Sequence, residues 1–468
     1  MARTFIAFDL TQPFLLPPDI RDWLPERHLA RFILDLVDTL DLSDLMRSYI
    51  HNTDAGRSGY HPKMLLGLVL YAYCTGTRSS RQIERRTYED VAYRVLSGNQ
   101  HPDHDTIASF RQRHLDLIAK LFVQVLLLCQ KAGLVKLGNI AIDGTKVKAN
   151  ASKHKAMSYD RMCEAEKRLA AEVKALLAAA AQADAEEDGR FGKGKRGDEL
   201  PEELARRESR LVKIRAAKAA LEQEAKEKAE RAAAEARAKN EKRRRKEEET
   251  GKKMGGRPAE VPDAEKAVPE PKAQRNFTDP ESRIMKDGSS KSFEQAYNAQ
   301  AAVDSSSQVI VGTLVTQAPN DKEQLVPMLL RVQEQAGALP ESASADAGYF
   351  GAKAITDPRI SGVDLYVPPD RQKHGDMAVA ASDPTQEDVS VIEKMREKLK
   401  TVEGQAIYKQ RKAVVEPVFG QIKEARGIRR FSFRGMPKVL AEWDIVCLTH
   451  NVLKLFRAGV CLRAVEAG

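Results

Sequence analysis

The chain has 468 residues, room for two to four structural units at about 100 to 200 residues each, so a lone small module is excluded. Charged residues make up 31%, with 76 Lys and Arg against 67 Asp and Glu, while aromatics make up only 6%. The net charge of +9 is modest for this length, so what matters is whether the excess is concentrated, because a local basic stripe marks a polyanion partner where a global average does not.

The chain opens on an apolar stretch that Asp9 interrupts before a secretory core forms, and no small-residue cleavage site follows. From 15 to 135 the periodicity is helical, with start signals at Ser43, at His61-Pro62, at Ser79-Ser80 and at Asp105-Thr106. The longest clean apolar run in this region, Met64 to Cys74, falls short of the roughly 20 residues that span a bilayer. The five cysteines are at least 14 residues apart with no Cys-x-x-Cys pair, which argues against a disulfide framework or a zinc ribbon. A soluble protein of a reducing compartment is expected.

Next comes an extended segment, NIAIDGTKVKAN (139–150). From 158 to 248 the composition turns to Ala, Glu, Lys and Arg. Leu204, Leu211, Ile214 and Leu221 repeat at coiled-coil steps, and Leu169, Val173, Leu176 and Leu177 form an earlier stripe. Four glycines between Gly189 and Gly197 separate the stripes, which predicts an antiparallel helical hairpin. A Gly- and Pro-rich segment after it, 250–272, reads as a flexible linker. Downstream, AYNAQAAVD (296–304) and QVIVGTLVTQ (308–317) flank a Ser-rich turn and predict a β-hairpin. A helix over 321–335, strands at 342–350 and 363–369 and a helix over 386–419 complete a mixed α/β pattern.

Three acids stand out by context. Asp143 ends the apolar run IAID and is followed by Gly144-Thr145, and Asp346 follows SASA ahead of Ala347-Gly348, so at each the chain is expected to turn and leave a carboxylate at the sheet edge. Glu416 lies on a predicted helix. If the two strands are neighbours, a helix across them brings three carboxylates together, a donor set suited to a hard cation such as Mg²⁺. Taken singly, an Asp before Gly is usually a turn residue, and a Glu four residues after Lys412 an ion-pair partner.

The strings IAIDGTKVKANAS, YNAQAAVD and DAGYF, with the array Tyr408, Arg411, Glu416 and Lys423, resemble the bacterial insertion-sequence DDE transposases. The usual Tyr-Arg-Glu-Lys signature has three residues between Arg and Glu; here there are four, so Arg411 and Lys412 compete for the basic position. The resemblance implies a ribonuclease-H-like mixed sheet flanked by helices, presenting Asp143, Asp346 and Glu416 as catalytic residues and ligands to two Mg²⁺ or Mn²⁺ ions. It implies cleavage of transposon ends and strand transfer by the freed 3′-hydroxyl, double-stranded DNA as partner, a homodimer on DNA, and a bacterial cytoplasmic protein that is nucleoid-associated when bound. The expected division is an all-α DNA-binding domain over 1–135, a catalytic domain over 136–157 and 276–460, and the insert over 158–275. Of the 203 positions from Asp143 to Asp346, 85 remain without the 118 of the insert, enough for a strand, a hairpin and a helix. Rival readings are an inactive or domesticated DNA-binding relative, a nuclease without strand transfer, and a coiled-coil scaffold.

Residues 409–438 hold nine basic positions (Lys409, Arg411, Lys412, Lys423, Arg426, Arg429, Arg430, Arg434, Lys438) against Glu416 and Glu424, a local net of +7. These, with Tyr408, are candidate DNA contacts, and Phe431 and Phe433 are candidates for stacking on an unpaired base. Upstream, two helices across 79–114 resemble a helix-turn-helix, with Asp105 or Thr106 as cap and Ser109, Arg111 and Arg113 toward DNA. His101, Asp103, His104 and Asp105 form a turn rather than a metal cluster, and His450 and Asn451 are expected to be structural.

Overall fold

The computed structural model describes residues 19–50, 59–191, 202–251, 253, 255–287, 291–370 and 386–466. These fall into two units, the described residues of Met1–Val147 with Asn298–Gly468 and those of Lys148–Tyr297. The first unit opens with α1 (Leu29–Thr39), whose Ile33, Leu36 and Val37 are buried, then α2 (Ser43–Ile50). In α3 (Pro62–Cys74) every residue from Leu65 to Cys74 is buried, as a helix apolar on all sides requires. His61 caps it, its Nδ1 accepting from the Lys63 amide at 3.2 Å.

The segment that follows the Ser79-Ser80 start signal forms two helices. Asp90 ends α4 (Ser80–Glu89), and its carboxylate accepts the Ala92 amide at 2.9 Å to start α5 (Val91–Leu96). Likewise α6 (His104–Arg113) and α7 (Leu115–Lys131) break at His114, and the cap of α6 is Asp103, which takes the Thr106 amide at 2.6 Å, rather than Asp105 or Thr106.

Strand β1 (Asn139–Lys148) leads into the second unit, where β2 (Ala156–Ser158) precedes α8 (Tyr159–Phe191) and α9 (Glu202–Thr250). These form the expected antiparallel hairpin. Met162, Ala165, Leu169, Leu211, Ile214, Ala217 and Leu221 make its core, and Glu166 bonds both Arg215 and Lys218 at 3.0 Å. Leu177 is exposed, and the side chain of Leu204 lies outside the described residues. The expected linker runs back along the free half of α9: Asn240 donates to the Ala259 carbonyl and accepts its amide, both at 2.8 Å, and Lys226 pairs with Glu265 at 2.6 Å. Then come β3 (Gln274–Asn276), antiparallel to β2, and β4 (Arg283–Lys286).

Strand β5 (Phe293–Asp304) starts beside β4 in the second unit and continues in the first, where Asn298–Val303 pairs antiparallel with β6 (Ile310–Thr316). This is the expected hairpin. Helix α10 (Leu325–Ala336) covers β6 at Gly312, where a Cβ would meet Val332 Cγ2 at 2.6 Å, so only glycine permits this approach. Strand β7 (Ser342–Ala345) pairs parallel with β1, and after α11 (Ala352–Ile355), β8 (Asp364–Tyr366) pairs parallel with β7. Within the first unit the order is therefore β6–β5–β1–β7–β8.

Helices α12 (Gln386–Lys400) and α13 (Val402–Gly420) follow, and α13 continues into one π-helical turn, Gln421–Ala425. Helix α14 (Met436–Arg457) is buried through Trp443, Ile445, Val446, Leu448 and Val452 and packs on α7, α3 and β6; α15 (Leu462–Glu466) closes the chain's described part. The structural roles expected for His450 and Asn451 hold. Asn451 accepts the Ile310 amide and donates to the Ile310 carbonyl, both at 2.8 Å, and buried His450 holds Nε2 at 3.0 Å from the Gln308 carbonyl. No helix among the described residues is long and apolar enough to cross a membrane.

Candidate active site and basic face

The chain does not turn after Asp143. Strand β1 runs on through Gly144 to Lys148, and what ends there is its pairing with β7, whose last register pair is Ile142 with Ala345. One step further along two parallel strands places Asp143 opposite Asp346, and the shared register puts both side chains on the same face. After Asp346 the chain does turn: the carboxylate accepts the Gly348 amide at 2.8 Å and caps a 3₁₀ turn, Ala347–Tyr349. The Asp143 carboxylate takes the Gly144 amide at 2.8 Å. Burial pushes the Asp143 carboxyl up to about 6, with the charges of Asp346 and Asp321 adding to the rise, while Arg411 and the Gly144 amide pull it down.

Arg411 comes from α13. It is buried, its Nη1 lies 3.2 Å from Asp143 Oδ2, and its guanidinium sits 5.9 Å from the Tyr408 ring centre. Lys412 is exposed. Of the two competitors for the basic position, Arg411 is therefore the one that meets the aspartate. Further on, Lys423 in the π turn donates to the Lys146 carbonyl at 2.8 Å. Helix α13 and its extension are thus held against β1 at two points, and exposed Glu416 lies between them in sequence. Glu416 is not gathered with the aspartates: among the described residues no group of three or more His, Cys, Asp or Glu side chains could hold a metal ion.

Around Gly144 is a polar cluster that sequence reasoning missed. Asp321 Oδ1 accepts from Asn298 Nδ2 and from Gln300 Nε2, each at 2.6 Å, and Gln300 Oε1 accepts from the Tyr349 hydroxyl. Asn298, Gln300 and Tyr349 are fully buried. A signal was present in the Asn-x-Gln spacing, which puts two amides on one face of a strand amid alanines. Asp321, in a loop of ordinary composition, carried none. Lys146 also faces the acids: burial lowers its ammonium's proton affinity, against the opposing charges of Asp321, Asp143 and Asp346.

The basic stretch divides by direction. Arg426 is buried and donates to the Val446 carbonyl at 3.2 Å and to Thr449 Oγ1 at 2.9 Å, and burial brings its guanidinium down to about 10. Arg111 is buried too, donating to the Arg78 carbonyl at 2.7 Å and standing 5.2 Å from the Phe433 ring centre. Phe431 is buried edge-on to Trp443. These three side chains face the interior rather than a ligand, a correction to their reading as DNA contacts, because burial that removes solvent also removes access to a phosphate or base. Lys409, Lys412, Arg429, Arg430, Arg434, Lys438, Ser109 and Arg113 are exposed, and Arg429 is paired with Glu424. His104 Nδ1 meets Glu84 Oε2 at 2.7 Å and His101 stacks on Tyr88, so this segment is built into the helices.

Family comparison finds two matches. Residues 18–113 match the family described as Transposase domain (DUF772), and residues 378–456 match the family described as Transposase DDE domain. No curated protein and no solved structure matches the chain. The DDE match spans Tyr408, Arg411, Glu416 and Lys423, and the transposase-domain match covers the helices from α1 to α6. Two families described as transposase domains are thus matched, one in each half of the chain, and the paired aspartates lie on the sheet between the matched segments.

Proposed function

We propose that the protein cuts the phosphodiester bonds at transposon ends and joins the freed 3′-hydroxyl to target DNA, with Asp143 and Asp346 at the reacting phosphate. The observation that carries this reading is the shared register position of the two aspartates at the end of the β1–β7 pairing. The order β6–β5–β1–β7–β8, a hairpin added on one side of β1 and parallel strands on the other, supports a ribonuclease-H-like sheet.

The residues fit a hard divalent cation, Mg²⁺ or Mn²⁺. The donors are the oxygens of two carboxylates at the same register position, the ligand type a hard cation takes, and a bound cation would oppose the burial that raises the Asp143 carboxyl. Asp143 and Asp346 would hold the ions, and Glu416, exposed on α13 and apart from them, would have to move to complete the set. Bound there, a pair of such ions supplies activation of the attacking oxygen and stabilisation of the leaving one. Arg411 holds the Asp143 carboxylate in place, and the Gly348 amide does so for Asp346. Lys423, which donates to the Lys146 carbonyl on the same strand as Asp143, would meet a DNA phosphate, and exposed Lys412, Arg429, Arg430 and Arg434 would extend the basic face.

The helices α4 and α6, with Ser109 and Arg113 outward, are read as the end-binding part of the chain, the α8–α9 hairpin as an arm, and the active form as a dimer on DNA, since both element ends must be cut together. The test is incubation of the full chain with Mg²⁺ and the DNA that flanks its reading frame. Nicked ends and joined products are expected, both lost in Asp143→Asn. Cut ends without joined products would make it a nuclease, and cleavage surviving Asp143→Asn would remove the site assignment.

A further inference from the structure

The sheet places the two aspartates opposite each other, but the β1–β7 pairing stops one residue short of them, so something else must fix their spacing. The side-chain cluster beside Gly144 is connected to both. From the Asp346 side, the carboxylate caps the turn that ends in Tyr349, and the Tyr349 hydroxyl donates to Gln300 Oε1. From the Asp143 side, Gln300 and Asn298 both donate to Asp321, and all three sit on the backbone of Gly144. A Cβ at Gly144 would lie 2.9 Å from Asn298 Oδ1, 2.9 Å from Asp321 Oδ1, and against Gln300 Nε2. The glycine is thus what lets three polar groups close on β1 next to Asp143. Gln300 is itself fixed, because its carbonyl takes the Trp443 indole N–H at 2.9 Å.

We propose that Gln300, held between Tyr349 and Asp321, is a positioning strut that sets the separation of the Asp143 and Asp346 carboxylates. Both functional groups of the amide are used, Oε1 toward the turn after Asp346 and Nε2 toward Asp321 in the cluster beside Gly144, so one planar group links the surroundings of the two aspartates beyond the last β1–β7 pair. The inference rests on the reading of the aspartate pair as a divalent-cation site and deepens it. Groups that orient metal-binding side chains from one shell out change metal affinity by about 10- to 100-fold when removed.

The test is Mn²⁺ titration of the full chain by electron paramagnetic resonance and calorimetry, with thermal midpoints recorded alongside. Wild type, Asp143→Asn, Tyr349→Phe and Asp321→Ala are compared. Tyr349→Phe keeps the ring and removes the hydroxyl; Asp321→Ala frees both amides and serves if the first variant does not fold. The expected result is that Asp143→Asn loses binding while both strut variants bind Mn²⁺ roughly tenfold more weakly, with cleavage recovering as Mn²⁺ is raised. If both strut variants bind as wild type does while Asp143→Asn does not, the strut is overturned and the site stands. If wild type binds no Mn²⁺, or Asp143→Asn binds it normally, the site reading falls and the strut with it.

Discussion

Asp143 carries a charge in a place that opposes charge, and its surroundings show how the chain manages this. Arg411 lies at 3.2 Å and the Gly144 amide at 2.8 Å, yet burial and two neighbouring acids still hold the carboxyl near 6. Gly144 is the residue at which the local packing is most easily tested. Gly144→Ala places a methyl among buried polar groups that hold one another rigidly, and an overpacking cost of about 1–3 kcal/mol is expected, measured as a fall in the denaturation midpoint. Away from the site, buried Asp444 accepts from Thr313 Oγ1 at 2.5 Å, and burial raises its carboxyl to about 6. A carboxyl held above its usual range contributes stability while protonated, and that contribution is lost as pH rises from about 4 through about 6. Asp444→Asn should therefore flatten the stability profile across that window, as followed by thermal melts at half-unit pH steps; an unchanged slope would mean the group ionises freely. At this scale the sequence singled out Asp143, after the apolar run IAI, and Asp346, after SASA, each with a glycine within two residues. It did not show Asp321, whose importance comes from β5 and β1 meeting beside its loop, a contact between positions more than 20 and more than 170 residues away.

Among the elements, those with strong periodicity were the most legible. The heptad steps through Leu211, Ile214 and Leu221 give the face of α9 that packs on α8, and Ile214 is at its centre. Ile214→Ala should cost the hairpin about 2–5 kcal/mol, read as faster amide exchange across 159–178 and 206–222. The linker was not legible as a docked segment. Its Gly and Pro content rules out a helix but does not reveal that Asn240 offers both halves of its amide to Ala259. Asn240→Ala is expected to raise exchange in 255–266 while leaving the α8 contacts unchanged. The breaks at Asp90 and His114 were hidden for the same kind of reason: apolar spacing continues on both sides of each, and a cap one residue long does not disturb it.

For the whole molecule, the net charge of +9 acquires a location. The stretch from Lys409 to Lys438 carries +7, but its members point in different directions: Arg411 and Arg426 serve the interior, while Lys409, Lys412, Arg430, Arg434 and Lys438 remain on the surface. Sequence shows the excess; only the fold sorts it. Replacing Arg430 and Lys438 by Glu should weaken DNA binding uniformly across sequences and lower the slope of log affinity against log salt, whereas Arg426→Ala should lower stability through the bonds it loses to Val446 and Thr449. The matched families lie in both halves of the chain, over 18–113 and 378–456, and the strands bearing the aspartates lie between them. The central claim is that those aspartates hold a divalent cation at the reacting phosphate. Metal-specificity rescue tests it most directly: Asp346→Cys exchanges an oxygen ligand for a softer sulfur, which favours Mn²⁺ over Mg²⁺. Cleavage of end-bearing DNA by this variant should vanish with Mg²⁺ and return in part with Mn²⁺, whereas cleavage at the wild-type rate with Mg²⁺ alone would contradict the account.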